Sequence, residues 1–289
     1  MTDDPLALDA ETMRRLGYRA VDMLVDRMTD PTIPPLRRAT PDEMAARVSG
    51  PPPDEPQDFD EILRCLNEDV LPFMSKGDHP GFFAYVPFAG TWPGALGDLI
   101  ASATNVYAGS WMEAAGPSHL ELEVVGWFKD WVGYPPEAAG ILVSGGSAAN
   151  LTALACARES LVGPMSDDLV AYVSDQAHFS VARSARNLGF RQSQVRVIPS
   201  DDRLRIRVDL LESAMDADLR AGRRPLLVSA NGGATNSGAI DPLPKLAELC
   251  HERNVWFHVD AAYGGFAVDR KSTRLNSSHS SPSRMPSSA

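Results

Sequence analysis

Four short stretches carry side chains able to do chemistry together. Asp260 closes the apolar run Val255-Trp256-Phe257-His258-Val259, where a carboxylate is costly to bury without a partner. Two readings stand for it. It is either a capping aspartate after a strand, or the acceptor for a cationic ring nitrogen, which it would keep protonated so that the ring can draw in electrons. The small neighbours Ala261 and Ala262 favour the second, because a flat ring could lie against the strand end. Ser144-Gly145-Gly146-Ser147-Ala148-Ala149-Asn150 opens a helical pattern containing Leu151 and Leu154. Small residues at a helix start let backbone N–H groups approach an anion, and Ser147 adds a hydroxyl. The stretch is neither GxGxxG nor GxxxxGK[ST], so a single phosphate monoester fits it better than a dinucleotide or nucleoside triphosphate. It reads equally as a strand-to-helix turn with no ligand. His178, in Asp175-Gln176-Ala177-His178, could stack on a planar ring or act on a substrate proton, or serve only the turn. The loop from Gly232 to Pro242, with Thr235 in it, is a fourth candidate or a plain flexible turn.

Positioning these residues falls to alternating elements. Short apolar runs at Ile141–Val143, Leu169–Val173, Val195–Ile198, Leu226–Val228 and Val255–Val259 predict strands. Helical patterns near Leu151–Ser160, Ser180–Leu188, Asp209–Ala221 and Leu243–Arg253 lie between them. Such alternation implies an α/β fold, a mainly parallel sheet with helices on both faces. Ligands then sit beyond the carboxyl ends of the strands, where each motif above is expected. The N-terminal part differs. An amphipathic helix is expected from Asp9 to about Met28 with Asp9 as its cap, and a second helix presents Phe59, Ile62, Leu63, Leu66, Val70 and Phe73 on one face. Between them the Pro-rich stretch Pro31–Pro56 reads as a solvated linker or as a loop wrapping a partner.

Composition narrows the function classes. The net charge of −11 over 289 residues argues against nucleic acid or an anionic membrane as partner. No apolar run is long enough to span a bilayer and the start is acidic, so a cytoplasmic protein is expected. Cys65, Cys156 and Cys250 are isolated, without metal-ligand spacing, which points to free thiols and to no metal site.

Taken together, the motifs resemble the group II pyridoxal-phosphate (PLP) decarboxylases, the family of aromatic amino-acid and glutamate decarboxylases. The resemblance rests on His79-Pro80-Gly81-Phe82-Phe83-Ala84-Tyr85, Glu121-Leu122-Glu123, Ser144–Asn150, Asp175–His178, Thr235–Pro242 and His258-Val259-Asp260-Ala261-Ala262-Tyr263, in that order. It implies a fold type I, PLP-dependent transferase-like domain over residues 76–268, preceded by a helical, dimer-wrapping segment over 1–75. Gly146, Ser147 and Thr235 would hold the cofactor, His178 would stack on its ring, Asp260 would pair with the ring nitrogen and Ala262 would pack behind it. Tyr85, Val86, Pro87 and Phe88 would shape the substrate pocket. The implied assembly is a homodimer acting on a small-molecule substrate, an amino acid. Two departures stand out: Ala234 replaces a threonine common in relatives, and Val86 and Phe88 differ in the pocket segment. Pocket contacts worth about 1–3 kcal/mol each change substrate preference, so the resemblance leaves aromatic and acidic substrates both open.

PLP chemistry starts from a Schiff base to a lysine. In the family this lysine follows a histidine several dozen residues after the strand ending in Asp260. Lys76, Lys129, Lys245 and Lys271 are the lysines present, and none has that context. Serine makes up eight of the nineteen residues from Lys271 to Ala289, and Asp269–His279 resembles translated sequencing-adapter DNA. Residues 269–289 are therefore expected to be a non-native or disordered tail. The chain is expected to be an inactive fragment of a decarboxylase. The alternatives are another fold type I reaction, such as transamination, or a non-catalytic fragment.

Overall fold

The structure is a computed structural model and describes residues 7–84, 86 and 88–267. The chain divides into two compact units, one running to Ala103 and the other starting at Thr104.

The first unit is helical. Helix α1 (Ala10–Thr29) starts where Asp9 accepts a hydrogen bond from the Thr12 N–H at 2.8 Å, the expected cap. Helix α2 (Pro41–Val48) lies inside the Pro-rich stretch read as linker or loop. Its sequence explains it: Thr40 and Glu43 form a reciprocal capping box and Pro41 occupies the first helical position. The second expected helix is broken into α3 (Phe59–Cys65), a π-helical turn at Leu66–Val70 and a 3₁₀ turn at Leu71–Phe73. Arg37 and Arg47 both lie over the Phe73 ring, at 4.6 and 4.9 Å from its centre. Helix α4 (Trp92–Thr104) follows.

The second unit opens with α5 (Trp111–Val132), which ends at Gly133 in the left-handed conformation, φ 78°. After α6 (Gly146–Leu161) come β1 (Leu169–Ser174), α7 (Phe179–Asn187), β2 (Val195–Ile198), α8 (Val208–Arg220), β3 (Arg224–Asn231), α9 (Leu243–Glu252) and β4 (Trp256–Asp260). The four strands pair in parallel in the order β2-β1-β3-β4. Period-two alternation splits their side chains between two cores. Val170, Tyr172, Val228 and Ala230 pack with Leu211 and Met215 of α8 and with Leu246 and Leu249 of α9. Leu169, Ala171, Val173 and Leu227 pack with Leu154 of α6, Val181 of α7 and Trp256. Helices thus cover both faces, as the alternation predicts.

One expected strand does not form. Ile141-Leu142-Val143 pairs with no strand among the described residues, and Ile141 is 64% exposed. Apolar β-branched residues favour a strand only when a neighbouring ladder receives them. Here the Leu142 N–H donates instead to the Glu121 carboxylate at 2.9 Å. Among the described residues no helix is long and apolar enough to cross a membrane, and no group of His, Cys, Asp and Glu could hold a metal ion.

Candidate active site

Parallel strands deliver their carboxyl ends to one edge of the sheet, and the chemistry-bearing residues gather there. β1 leads to His178, β3 to the Gly232–Pro242 loop, and β4 ends on Asp260. The start of α6 closes on the same place. A Cβ added to Gly146 would stand 2.9 Å from the Cβ of Ala262, closer than such atoms come. Gly145, the N-cap, has φ 117° and offers no side-chain cap, so the first amides of α6 lack an internal acceptor. Both glycines are needed, one for conformation and one for proximity.

Asp260 is held at both oxygens. Its Oδ1 accepts from the Ala262 N–H at 3.1 Å and its Oδ2 from Asn150 Nδ2 at 2.9 Å. Asn150, on α6, is 3% exposed. Its Nδ2 also donates to Ser180 Oγ at 2.9 Å, and its Oδ1 lies 2.8 Å from His258 Nε2. His258 has its pKa lowered by burial, against the opposing charge of Asp260. His178 caps α7: its Nδ1 is 2.7 Å from Ser180 Oγ and 3.3 Å from the Ser180 N–H. Ser147 Oγ, exposed at the start of α6, accepts from Arg183 Nη2 at 3.2 Å. The Arg183 guanidinium lies over the Phe179 ring, 4.9 Å from its centre.

The sequence-derived residues therefore fall into three groups. Asp260, His178, Gly146, Ser147 and Ala262 are joined by the contacts above. Thr235 stands on an exposed turn of the loop after β3, whose buried Ala234 is bonded to Ala239 and Gly238. Val86 and Phe88 belong to the first unit, where Phe88 meets Phe82 edge-on with ring centres 5.5 Å apart; Tyr85 and Pro87 lie outside the described residues. Sequence reasoning passed over Asn150, Ser180, His258 and Arg183 as individual groups. A polar residue at the start of a mostly apolar helix was the available signal for Asn150. Arg183 had none beyond its nearness to His178.

The described lysines are engaged or placed elsewhere. Lys76 Nζ donates to the Asp30 carbonyl at 2.9 Å, Lys129 Nζ to the Pro136 carbonyl at 2.7 Å, and Lys245 is exposed on α9. Lys271 and the expected tail lie outside the described residues.

The arrangement can receive a flat, cationic, anion-bearing ring: amides and a hydroxyl at one end, a carboxylate at the other, and small residues between them. Comparison with known proteins agrees. The Pyridoxal-dependent decarboxylase conserved domain matches residues 41–276. The aromatic-L-amino-acid decarboxylase of Bacillus atrophaeus is 40% identical over 264 residues, 91% of this chain and 55% of that protein. The phenylacetaldehyde synthase of Arabidopsis thaliana is 29% identical over 90% of this chain and 56% of its own. The solved structure of Oryza sativa TDC with PLP and tryptamine matches with a TM-score of 0.85 at 28% identity, covering 92% of this chain and 58% of that one. The chain thus spans a little over half the length of the relatives it matches. With the family domain matched over most of its residues and the parallel sheet shared with fold type I enzymes, the chain belongs to the pyridoxal-dependent decarboxylase family.

Proposed function

We propose that the whole protein decarboxylates an aromatic L-amino acid with PLP, and that these residues form the half of the site that grips the cofactor. The observation carrying this reading is Asp260, a carboxylate fixed at both oxygens on a strand end that faces Gly146. Gly146 and Ser147, at the start of α6, would hold the phosphate, with Arg183 adding positive charge beside Ser147. His178 would stack on one ring face, Ala262 would pack on the other, and Thr235 would line the site. Asp260 would keep the ring nitrogen protonated. When bound, the pyridoxal ring supplies the sink for charge left on the substrate carbon as carbon dioxide departs. The preorganised Asp260 carboxylate stabilises that state without having to reorganise. The aromatic class is favoured by the name of the Bacillus atrophaeus relative. A homodimer in the cytoplasm is the setting that accompanies this reading.

A second reading has one observation behind it: a relative named phenylacetaldehyde synthase. On that reading the same grip would serve an aldehyde-forming reaction. Product analysis of the protein at the length of its relatives separates the two. Amine with carbon dioxide is expected; aldehyde as main product would overturn decarboxylation to the amine. The 289-residue chain alone is expected to bind PLP without covalent capture, since Lys76 and Lys129 are tied to main-chain carbonyls and Lys245 stands exposed on α9. Borohydride reduction followed by peptide mapping checks this. A pyridoxyl group on one specific lysine would overturn it.

A further inference from the structure

From α6, Asn150 bridges β4, through Asp260 and His258, and α7, through Ser180. It is buried, lies 110 residues from Asp260 in sequence, and has both polar atoms engaged. The chemistry of an amide fixes the direction of every bond. Asn150 Nδ2 can only donate, so one hydrogen goes to Asp260 Oδ2 and the other to Ser180 Oγ, each at 2.9 Å. Oδ1 can only accept, so His258 Nε2 carries a proton toward it. Ser180 Oγ, already receiving a hydrogen from Asn150, turns its own toward His178 Nδ1, 2.7 Å away. Nδ1 also receives the Ser180 N–H, so His178 keeps its ring proton on Nε2. Reversing the amide would place its oxygen against the Asp260 carboxylate.

We infer that Asn150 is a positioning residue, which through one amide orients the Asp260 carboxylate and, by way of Ser180, the His178 ring. This rests on the cofactor reading above for its purpose, but not for its geometry. Asp260 retains lone pairs toward a ring nitrogen because Asn150 and the Ala262 N–H occupy only one site on each oxygen.

The test uses the full chain without ligand, carrying 13C-labelled aspartate and 15N-labelled asparagine. In the unaltered chain a coupling through the hydrogen bond should link Asn150 Nδ2 to the Asp260 carboxyl carbon. Its absence would overturn the inference, and no variant is needed for that result. Asn150→Leu, apolar and of similar size, should shift both the Asp260 carboxyl and the His178 ring resonances. An unmoved Asp260 carboxyl resonance in a folded variant would also overturn it. PLP binding then separates purpose from geometry. Asn150→Leu should bind PLP about tenfold more weakly, while its affinity for the analogue with CH in place of the ring nitrogen should be unchanged. Equal losses for both ligands would reduce Asn150 to a structural role. If the unaltered chain shows the coupling but binds no PLP, the cofactor reading falls and the positioning geometry stands.

Discussion

His258 couples the strand-end cluster to pH. Burial lowers its pKa, with the Asp260 charge opposing, and its Nε2 already serves Asn150. In the unfolded chain the group titrates near its ordinary value of about 6.5. Between that value and the lower folded one, the unfolded state binds more protons, so stability rises with pH. The contribution is complete above about pH 6.5 and is lost as pH falls below it. Urea midpoints should therefore drop between pH 7.5 and 5.5, and His258→Gln should flatten that part of the slope. A midpoint equally pH-sensitive in His258→Gln would place the cause elsewhere. Residue chemistry of this kind was only half legible. Asp260, His178 and Gly146 announced themselves through residue type and position after apolar runs. Asn150 did not, because its value lies in bonds to Ser180 and Asp260, which only the folded sheet brings within reach.

At the scale of elements, Asp218 ties α8 to the sheet. Its side chain is 3% exposed and accepts from Tyr172 Oη at 2.9 Å, and from the guanidinium groups of Arg196 and Arg223. Burial would raise its pKa, but those three donors outweigh it and hold the carboxyl below its usual range. The arginines are partly exposed and can turn to water, whereas the Tyr172 hydroxyl is fully buried. Asp218→Ala is thus expected to cost about 2–4 kcal/mol and Tyr172→Phe only about 1 kcal/mol, measured by chemical unfolding. Equal costs would show that the hydroxyl, not the charge cluster, dominates. The elements were the most legible part of the sequence. Alternating runs located β1 to β4 and α6 to α9 because each carries its own periodicity. Ile141–Val143 misled because apolar composition states an appetite for a ladder, not its presence. Helix α2 was hidden by surrounding prolines, although Thr40, Pro41 and Glu43 spell its start.

The whole molecule exposes unusual apolar surface. On α5, Trp111, Leu120 and Trp127 are exposed and Met112 is 88% exposed, and Ile141 and Leu142 extend this set nearby in sequence. Among the described residues, strand β4 pairs on one side only, with β3. Exposed apolar side chains and unpaired strand edges both invite association. The chain is expected to sediment as concentration-dependent species larger than a monomer, and Met112→Glu with Leu120→Glu should shift it toward monomer. A purely monomeric chain at high concentration would contradict this.

Trp256, buried in β4 while Trp111, Trp127 and Trp131 face solvent, gives the strand a further use. Trp256 stands four positions before Asp260, about 13 Å along an extended strand. Shielded from water, its emission belongs at shorter wavelength than that of the exposed indoles. A ring absorbing in the near ultraviolet and seated on Asp260 would drain that blue component by energy transfer and leave the red one. The strand that presents the carboxylate thus carries its own optical gauge of occupancy.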